Sequence, residues 1–334
     1  MIERVFIAGG TGFLGYHASL LFQERGIGVD SAALPNEINT GNWNHPNCTL
    51  SFLDLFKSSD QEIYTLFTKS KYDVFIYALG PDDRQVPNRP AYAFFHQYLV
   101  EQAKRICLQA KKAKIPKCIV LSSYFVHFAD AKLQKHHPYI KARVEQISSL
   151  NQLADDAFQI SYLLLPYIFG TMPGREPLWK KHFLAHFSKM PIVLFPKGGG
   201  TMAVDVSGVA QAIVGASLYG ENKALYPVGK ENIPFKALIP QMLYALGEKK
   251  RYWELPGLLI ALGMIPKMII DFLHKKQNGL HPWHIMFEVL NKSFYMDYKT
   301  TKTLLHYEEL GFDGGKDVDT SIAETMKWIK ENTV

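Results

Sequence analysis

The stretch Val5-Phe6-Ile7-Ala8-Gly9-Gly10-Thr11-Gly12-Phe13-Leu14-Gly15 decides the fold. A short apolar run ends abruptly in glycines, with Gly9, Gly12 and Gly15 at intervals of three, and a run compatible with a helix follows. Strand, glycine turn and helix in immediate succession form the context in which such glycines bind a dinucleotide. They permit a tight turn, let the backbone approach a pyrophosphate, and let the helix pack on the strand. Free amide groups and the dipole at the helix N-terminus then favour phosphate charge.

Working outward, strand-like apolar runs alternate with helical patterns through the first half, the signature of βαβ units and a parallel sheet. Residues 4–8 read as the first strand and 15–25 as a helix. Further strands are expected at 29–34, 49–52, 74–78 and 118–122. Residues 91–114 carry helical periodicity in Phe94, Phe95, Tyr98, Leu99, Ile106 and Leu108 and read as a crossover helix. A helix over 139–153 leads to a sixth strand at 160–165, ended by Pro166. Glycine and proline then become frequent, and a second lobe starts.

Gly198-Gly199-Gly200 precedes a strand at 202–206 and a small-residue helix at 209–219, read as the chain returning to the first lobe. The expected architecture is α/β: a Rossmann-type doubly wound parallel sheet with a smaller, interleaved C-terminal substrate lobe. Residues 1–168 would form the dinucleotide-binding domain, with 203–229 returning to it, and 169–202 and 230–334 the substrate-binding lobe.

Composition is that of an ordinary folded protein, with 334 residues, 47% hydrophobic and 20% charged. Cys48, Cys107 and Cys118 lack metal-ligand spacing and form no disulfide framework, so a reducing cytoplasm is the expected location. The net charge of +6 is dispersed, with no aromatic-interleaved basic patch, which argues against a nucleic-acid partner. The most hydrophobic stretch, 255–266, is too short to span a bilayer, which takes about 20 residues. Basic residues follow it, so contact of 255–276 with a membrane surface stays open beside the plainer reading of a packed helix.

The opening stretch resembles the start of the extended short-chain dehydrogenase/reductases, the NAD-dependent epimerase/dehydratase family. Further resemblances follow in the family's order: Leu53-Asp54-Leu55, then residues 73–80 ending in Ala78-Leu79-Gly80, then residues 120–126 with Ser122-Ser123-Tyr124, Pro138-Tyr139, residues 165–170, Tyr226-Pro227-Val228-Gly229, Leu310-Gly311-Phe312 and a closing helix through Trp328. Nearly the whole chain is covered, with the poorest match over 250–291.

The resemblance implies NAD or NADP held by Gly9, Thr11, Gly12, Phe13, Leu14, Gly15, Asp54, Leu55, Ala78, Leu79, Gly80, Ser122, Tyr139, Arg143, Pro166 and Ile168. It also implies a homodimer paired through 91–114 and 139–153. At the end of the second strand, Ala32-Ala33-Leu34-Pro35-Asn36 offers neither an acid for a ribose 2′-hydroxyl nor an arginine for a 2′-phosphate. The two cofactors are therefore not separated. Asp30 lies early in that strand and reads as a strand-start residue.

Hydride transfer needs a proton donor or acceptor beside the substrate oxygen and a group that holds that oxygen. By resemblance Tyr139 is the acid/base and Ser123 the holder. The lysine expected one helical turn after the tyrosine is Arg143, whose charge survives but whose planar fork is no equivalent of an ammonium. Leu99 stands where many family members carry an asparagine. Two functions follow as expectations: an epimerase, dehydratase or reductase acting on a nucleotide-sugar, ketone or alcohol, or a catalytically impaired dinucleotide-binding regulator or assembly protein.

Other features have plainer readings. Tyr298 and Lys302 repeat the Tyr-x-x-x-Lys spacing outside its context, a coincidence. His136 and His137 read as a solvated loop. His182 and His186 read as a helix face, and no metal is expected. Gly174, Arg175 and Trp179 could contact a phosphate and a flat ring, or be a surface arginine and a packed tryptophan.

Overall fold

The computed structural model describes residues 2–34, 43, 45–184, 187 and 190–332. The chain begins β1 (Arg4–Ala8), α1 (Phe13–Glu24), β2 (Gly28–Ala33), β3 (Cys48–Phe52), α2 (Asp60–Phe67) and β4 (Val74–Tyr77). A helical crossover follows, made of α3 (Ala91–Phe95), a π-helical stretch (His96–Glu101) and α4 (Gln102–Lys112). Then come β5 (Lys117–Ser123), α5 (Phe125–Phe128), α6 (Ala131–His136), α7 (Pro138–Asn151), β6 (Gln159–Leu165) and β7 (Tyr167–Phe169). The later elements are β8 (Ile192–Pro196), β9 (Gly200–Asp205), α8 (Val206–Tyr219), β10 (Leu225–Pro227), β11 (Glu231–Pro234) and α9 (Phe235–Ala245). The last are β12 (Arg251–Leu255), α10 (Gly257–Gly263), α11 (Ile265–Leu273), α12 (Ile285–Glu288), β13 (Ser293–Phe294), α13 (Tyr298–Leu304), α14 (Tyr307–Leu310) and α15 (Val318–Glu331).

β1 lies inside a seven-stranded sheet of order β10-β6-β5-β4-β1-β2-β3, every pair of it parallel. Its buried side chains alternate between two helical layers. Phe6 and Ala8 pack with Ile63 and Phe67 of α2, Ile106 of α4 and Leu150 of α7. Val5 and Ile7 pack with Ala18 and Phe22 of α1 and with Val209 and Ile213 of α8. Burial on both faces is why the strand is apolar throughout after Arg4. The chain winds outward from β1 to β3 and then crosses back to β4. The strand order thus reverses beside β1, where open α/β sheets bind ligands beyond their carboxyl ends.

The smaller lobe has a sheet of order β11-β9-β13, with β7 also on β9, and a separate β8–β12 pair. Phe169, Phe235, Met242, Ile322 and Met326 form its core. The lobes interleave: β9, including residues 203–205, belongs to the smaller sheet, α8 packs against α1, and β10 joins β6 in the large sheet. Leu305 and Tyr307 return to the first lobe's core.

Two elements differ from the periodic reading. The crossover helix contains the π-helical stretch, whose wider turn lets sequence neighbours Leu99 and Val100 both face inward, and the helix stops before Lys114, which has φ of 61°. The apolar run from 255 becomes α10 and α11, broken at Met264, with Pro266 in the first turn of the second helix.

Candidate active site

The glycine turn holds its shape through its own backbone. The Gly12 amide donates to the Gly9 carbonyl (3.0 Å), and the Gly10 amide to Ser31 Oγ (3.1 Å), which itself donates to the Ile7 carbonyl (2.7 Å). The three glycines answer different demands. Gly9 has φ of 91°, and a Cβ there would lie 2.7 Å from the Ala78 carbonyl oxygen. A Cβ at Gly15 would collide with the Gly9 carbonyl. Gly12 is extended, with φ of −79°, and a Cβ would meet only the Gly9 carbonyl oxygen, at 3.1 Å. Gly9 and Gly15 are therefore required by internal packing, whereas Gly12 leaves an open approach. It caps a twelve-residue helix whose first turn carries no acid, a setting that suits an anion.

Because the strands are parallel, the residues after β1, β3, β4, β5 and β6 share one edge of the sheet. Gly9–Gly15, Asp54 and Leu55, Ala78–Gly80, Ser122 and Ser123, and Pro166 thus come together there. Asp54 accepts from the Phe56 amide (3.0 Å) and lies 3.5 Å from Lys57. Leu55 is buried, and its carbonyl accepts from Arg105 (2.7 Å). Gly80 has φ of 120°, and its missing side chain makes room for Leu99. The buried Ser122 hydroxyl has no hydrogen-bond partner among the described residues. Phe13, Leu14 and Pro166 are half-buried and Thr11 is buried, while the carbonyl of Ile168, on β7, accepts from Trp179 Nε1 (2.8 Å).

Pro138 starts α7 where its missing amide costs nothing, which sets Tyr139 and Arg143 one turn apart on one face. Arg143 Nε donates to Tyr139 Oη (3.1 Å), and Nη1 to the Leu121 carbonyl (3.3 Å) and Gln146 Oε1 (3.0 Å). The Tyr139 ring meets Phe95 edge-on at 5.5 Å. Burial pushes the Tyr139 phenol above its ordinary range. The Arg143 charge and hydrogen bonds from Arg143 and Ser123 oppose that rise, and the Asp83 carboxylate adds to it. Ser123 Oγ also accepts from the Phe125 amide (3.4 Å).

Sequence reasoning missed Asp83, Arg84, Tyr124, Gln146 and Tyr167. Asp83 acts electrostatically on Tyr124, Tyr139 and Tyr167, and burial raises its own pKa against the opposing charges of Arg84 and Arg143. The available signal was the Asp82-Asp83-Arg84 run just past Gly80. Tyr124 accepts from Thr201 Oγ1 (3.1 Å), so β9 also reaches this region.

Asp30 is committed to Arg4 (2.8 Å) and Tyr72 (2.7 Å) inside the sheet layer. Trp179 stacks on Phe169 with ring centroids 4.8 Å apart, so it is a packed tryptophan. Lys302 lies over the Tyr298 ring and donates to the Asp313 carbonyl (3.2 Å), on a different element from Tyr139. His186 and the His182 side chain lie outside the described residues, as do Pro35 and Asn36.

The solvated-loop reading of His136 and His137 is corrected. His137 is fully buried because residues 279–288 fold over it. Its Nδ1 accepts from the His281 amide (3.0 Å) and its Nε2 faces Glu288 at 3.2 Å. His136 and His284 also face the buried Glu288, at 2.8 and 3.2 Å. Their rings stack at 3.6 Å and 13°, and the ring nitrogens of both face the same Glu288 oxygen. The grouping works as a hydrogen-bonded node.

No family model matches the chain, and no curated protein matches it. Solved structures do. The structure of gox2253 is similar at a TM-score of 0.76 and 16% identity over 98% of each chain. UDP-glucose 4-epimerase from Bifidobacterium longum, in complex with NAD+ and UDP, is similar at 0.69 and 15% over 99% of each chain. The Bordetella bronchiseptica enzyme WbmH, in complex with NAD+, is similar at 0.68 and 14% over the whole of both. At such identities the likeness is one of fold: the chain has the two-lobed Rossmann-type architecture that its resemblance to the extended short-chain dehydrogenase/reductases implied.

Proposed function

We propose that the chain binds NAD or NADP along the carboxyl edge of its large sheet and works as an epimerase, dehydratase or reductase on a small organic substrate, a nucleotide-sugar or a ketone or alcohol. The carrying observation is the Tyr139–Arg143 hydrogen bond of 3.1 Å beside Ser123, on the edge where the glycine turn opens. The residues fit a dinucleotide: Gly12 leaves the phosphate approach free, and Ser122 keeps an unused hydroxyl. Gly9–Gly15 would hold the pyrophosphate, and Asp54 and Leu55 the adenine end. Ala78–Gly80, Ser122, Pro166 and Ile168 would line the rest. Bound there, the nicotinamide supplies or takes the hydride. The complexes of the similar structures with NAD+ and UDP support this reading.

Ser123 would hold the substrate oxygen while Tyr139, a phenol whose pKa burial raises further, donates a proton to it during reduction. In the oxidative direction the same group takes the proton back. Arg143 stabilises the phenolate so formed, with Gln146 and the Leu121 carbonyl fixing its guanidinium. Two observations favour the second reading, a dinucleotide-binding regulator: Arg143 spends Nη1 on those inward partners, and Leu99 fills the asparagine's place.

Calorimetric titration with NAD, NADH, NADP and NADPH, then thermal-shift screening of nucleotide-sugars with the tightest of them, tests both. Stabilisation by a dinucleotide followed by turnover on a substrate supports the enzyme, and binding without turnover supports the regulator. Absence of dinucleotide binding removes both.

A further inference from the structure

We propose that α10 and α11 form an interfacial anchor that docks the protein on the surface of an anionic lipid bilayer. Leu258 and Leu262 of α10 and Ile265, Ile269, Phe272 and Leu273 of α11 are all exposed, Phe272 by 62% and Leu273 by 70%. The α11 positions are spaced i, i+4, i+7 and i+8, so they form one apolar stripe, and no residue of that helix is buried. Ala261 of α10 is buried, and α10 packs on α12 and β8, so the hairpin is tethered to the smaller lobe with its apolar side outward. Burying such a surface is what drives a helix into the headgroup region of a bilayer. Among the described residues no helix is long and apolar enough to cross a membrane, so the hairpin would lie in the interface.

Charge selects the bilayer as the occupant. Residues 248–276 carry six lysines and arginines against three acids, with Lys250 spent on Glu248 at 3.7 Å and on the Phe187 carbonyl at 2.6 Å. One of those acids, Asp271, is already paired with Lys267 at 2.5 Å. Exposed His274 and Lys275 end α11, and Arg89 lies over the Phe272 ring at 4.7 Å, so cations rim the apolar stripe. Exposed Trp253 on β12 supplies an amphipathic ring of the kind that settles at headgroup level. A cationic rim around an apolar face complements anionic headgroups over acyl chains, whereas a second copy of this chain would bring like charge to like charge.

The whole chain is tested by flotation with vesicles of phosphatidylcholine alone and vesicles that also contain phosphatidylglycerol. Binding to the anionic vesicles, weakened by salt, is expected. Ile269→Glu with Phe272→Glu should abolish it without changing the melting temperature or dinucleotide affinity, which keeps the result separate from the functional reading above. Lys275→Glu should weaken binding by about fivefold and leave the apolar face intact. A wild-type chain that stays with the soluble fraction at low salt overturns the proposal. So does binding that survives the double replacement, or sedimentation showing a dimer that the double replacement dissolves in a chain with no affinity for vesicles.

Discussion

At single residues, the three glycines of one turn are alike in sequence but not in what they permit. Gly12→Val should lower dinucleotide affinity by more than about a hundredfold while the melting temperature stays near wild type, because the backbone there is extended and a Cβ meets only the Gly9 carbonyl oxygen, at 3.1 Å. Gly15→Ala should instead cost roughly 1–3 kcal/mol in chemical denaturation, through collision with Gly9. The motif was legible in sequence, but the division of labour was not, since it depends on the Ala78 carbonyl arriving from β4. Tyr139 and Arg143 were legible only through the family resemblance, whereas Asp83, which bears on both, reaches them through a loop. If Tyr139 is the acid/base, Tyr139→Phe should lose about 10²–10⁴-fold in turnover with cofactor affinity kept. Oxidation should accelerate as pH rises through its elevated pKa, because the phenolate accepts the proton. Arg143→Lys should preserve that profile, and Arg143→Leu should move it to higher pH. Turnover of Tyr139→Phe equal to wild type would show the proton moving elsewhere.

At the level of elements, α12 reaches the N-terminus of α7 through the His137–Glu288 contact, and that contact has a pH signature. Burial lowers the His137 pKa from 6.5 to about 4, against the pull of Glu288. The unfolded chain therefore takes up a proton that the folded chain refuses. Stability is complete above the unfolded value and is lost as pH falls from 6.5 toward 4, by roughly 3 kcal/mol. Denaturant titrations across that window should show the loss, and His137→Asn, which retains an acceptor for the His281 amide, should flatten it. A wild-type curve level between these pH values would contradict the burial argument. Nothing local in the His136-His137 pair announces this role, because the partners arrive from 281–288, the stretch where the family resemblance is poorest. The π-helical stretch escaped periodicity for a related reason: it shows itself only where α7 packs along it and Leu99 and Val100 are buried together.

For the whole molecule, alternation of strand and helix made the doubly wound sheet legible, but the return to the first lobe expected at residue 203 falls within β9 of the smaller sheet, and the chain rejoins the larger layer only at α8. Oligomeric state follows from neither. The resemblance implies a homodimer through 91–114 and 139–153, and those helices set the terms of any such contact. Tyr92 is already bonded to Glu145 at 2.7 Å and covered by Lys141, and the exposed positions include Gln97, Glu101, Lys112 and Ser148. No large apolar side chain among the described residues is exposed on either helix. Stable interfaces bury about 1,200–2,000 Å² around a core poor in charge. A dimer built on these polar faces should therefore be weak, passing from monomer to dimer over micromolar concentrations in sedimentation velocity, with salt shifting the balance. Glu101→Lys should move that midpoint, and Ile269→Glu on the hairpin should not. A dimer that persists at nanomolar concentration would mean that an apolar surface holds it. Since the hairpin concentrates the exposed apolar side chains, sensitivity of such a dimer to Ile269→Glu would place the interface there instead.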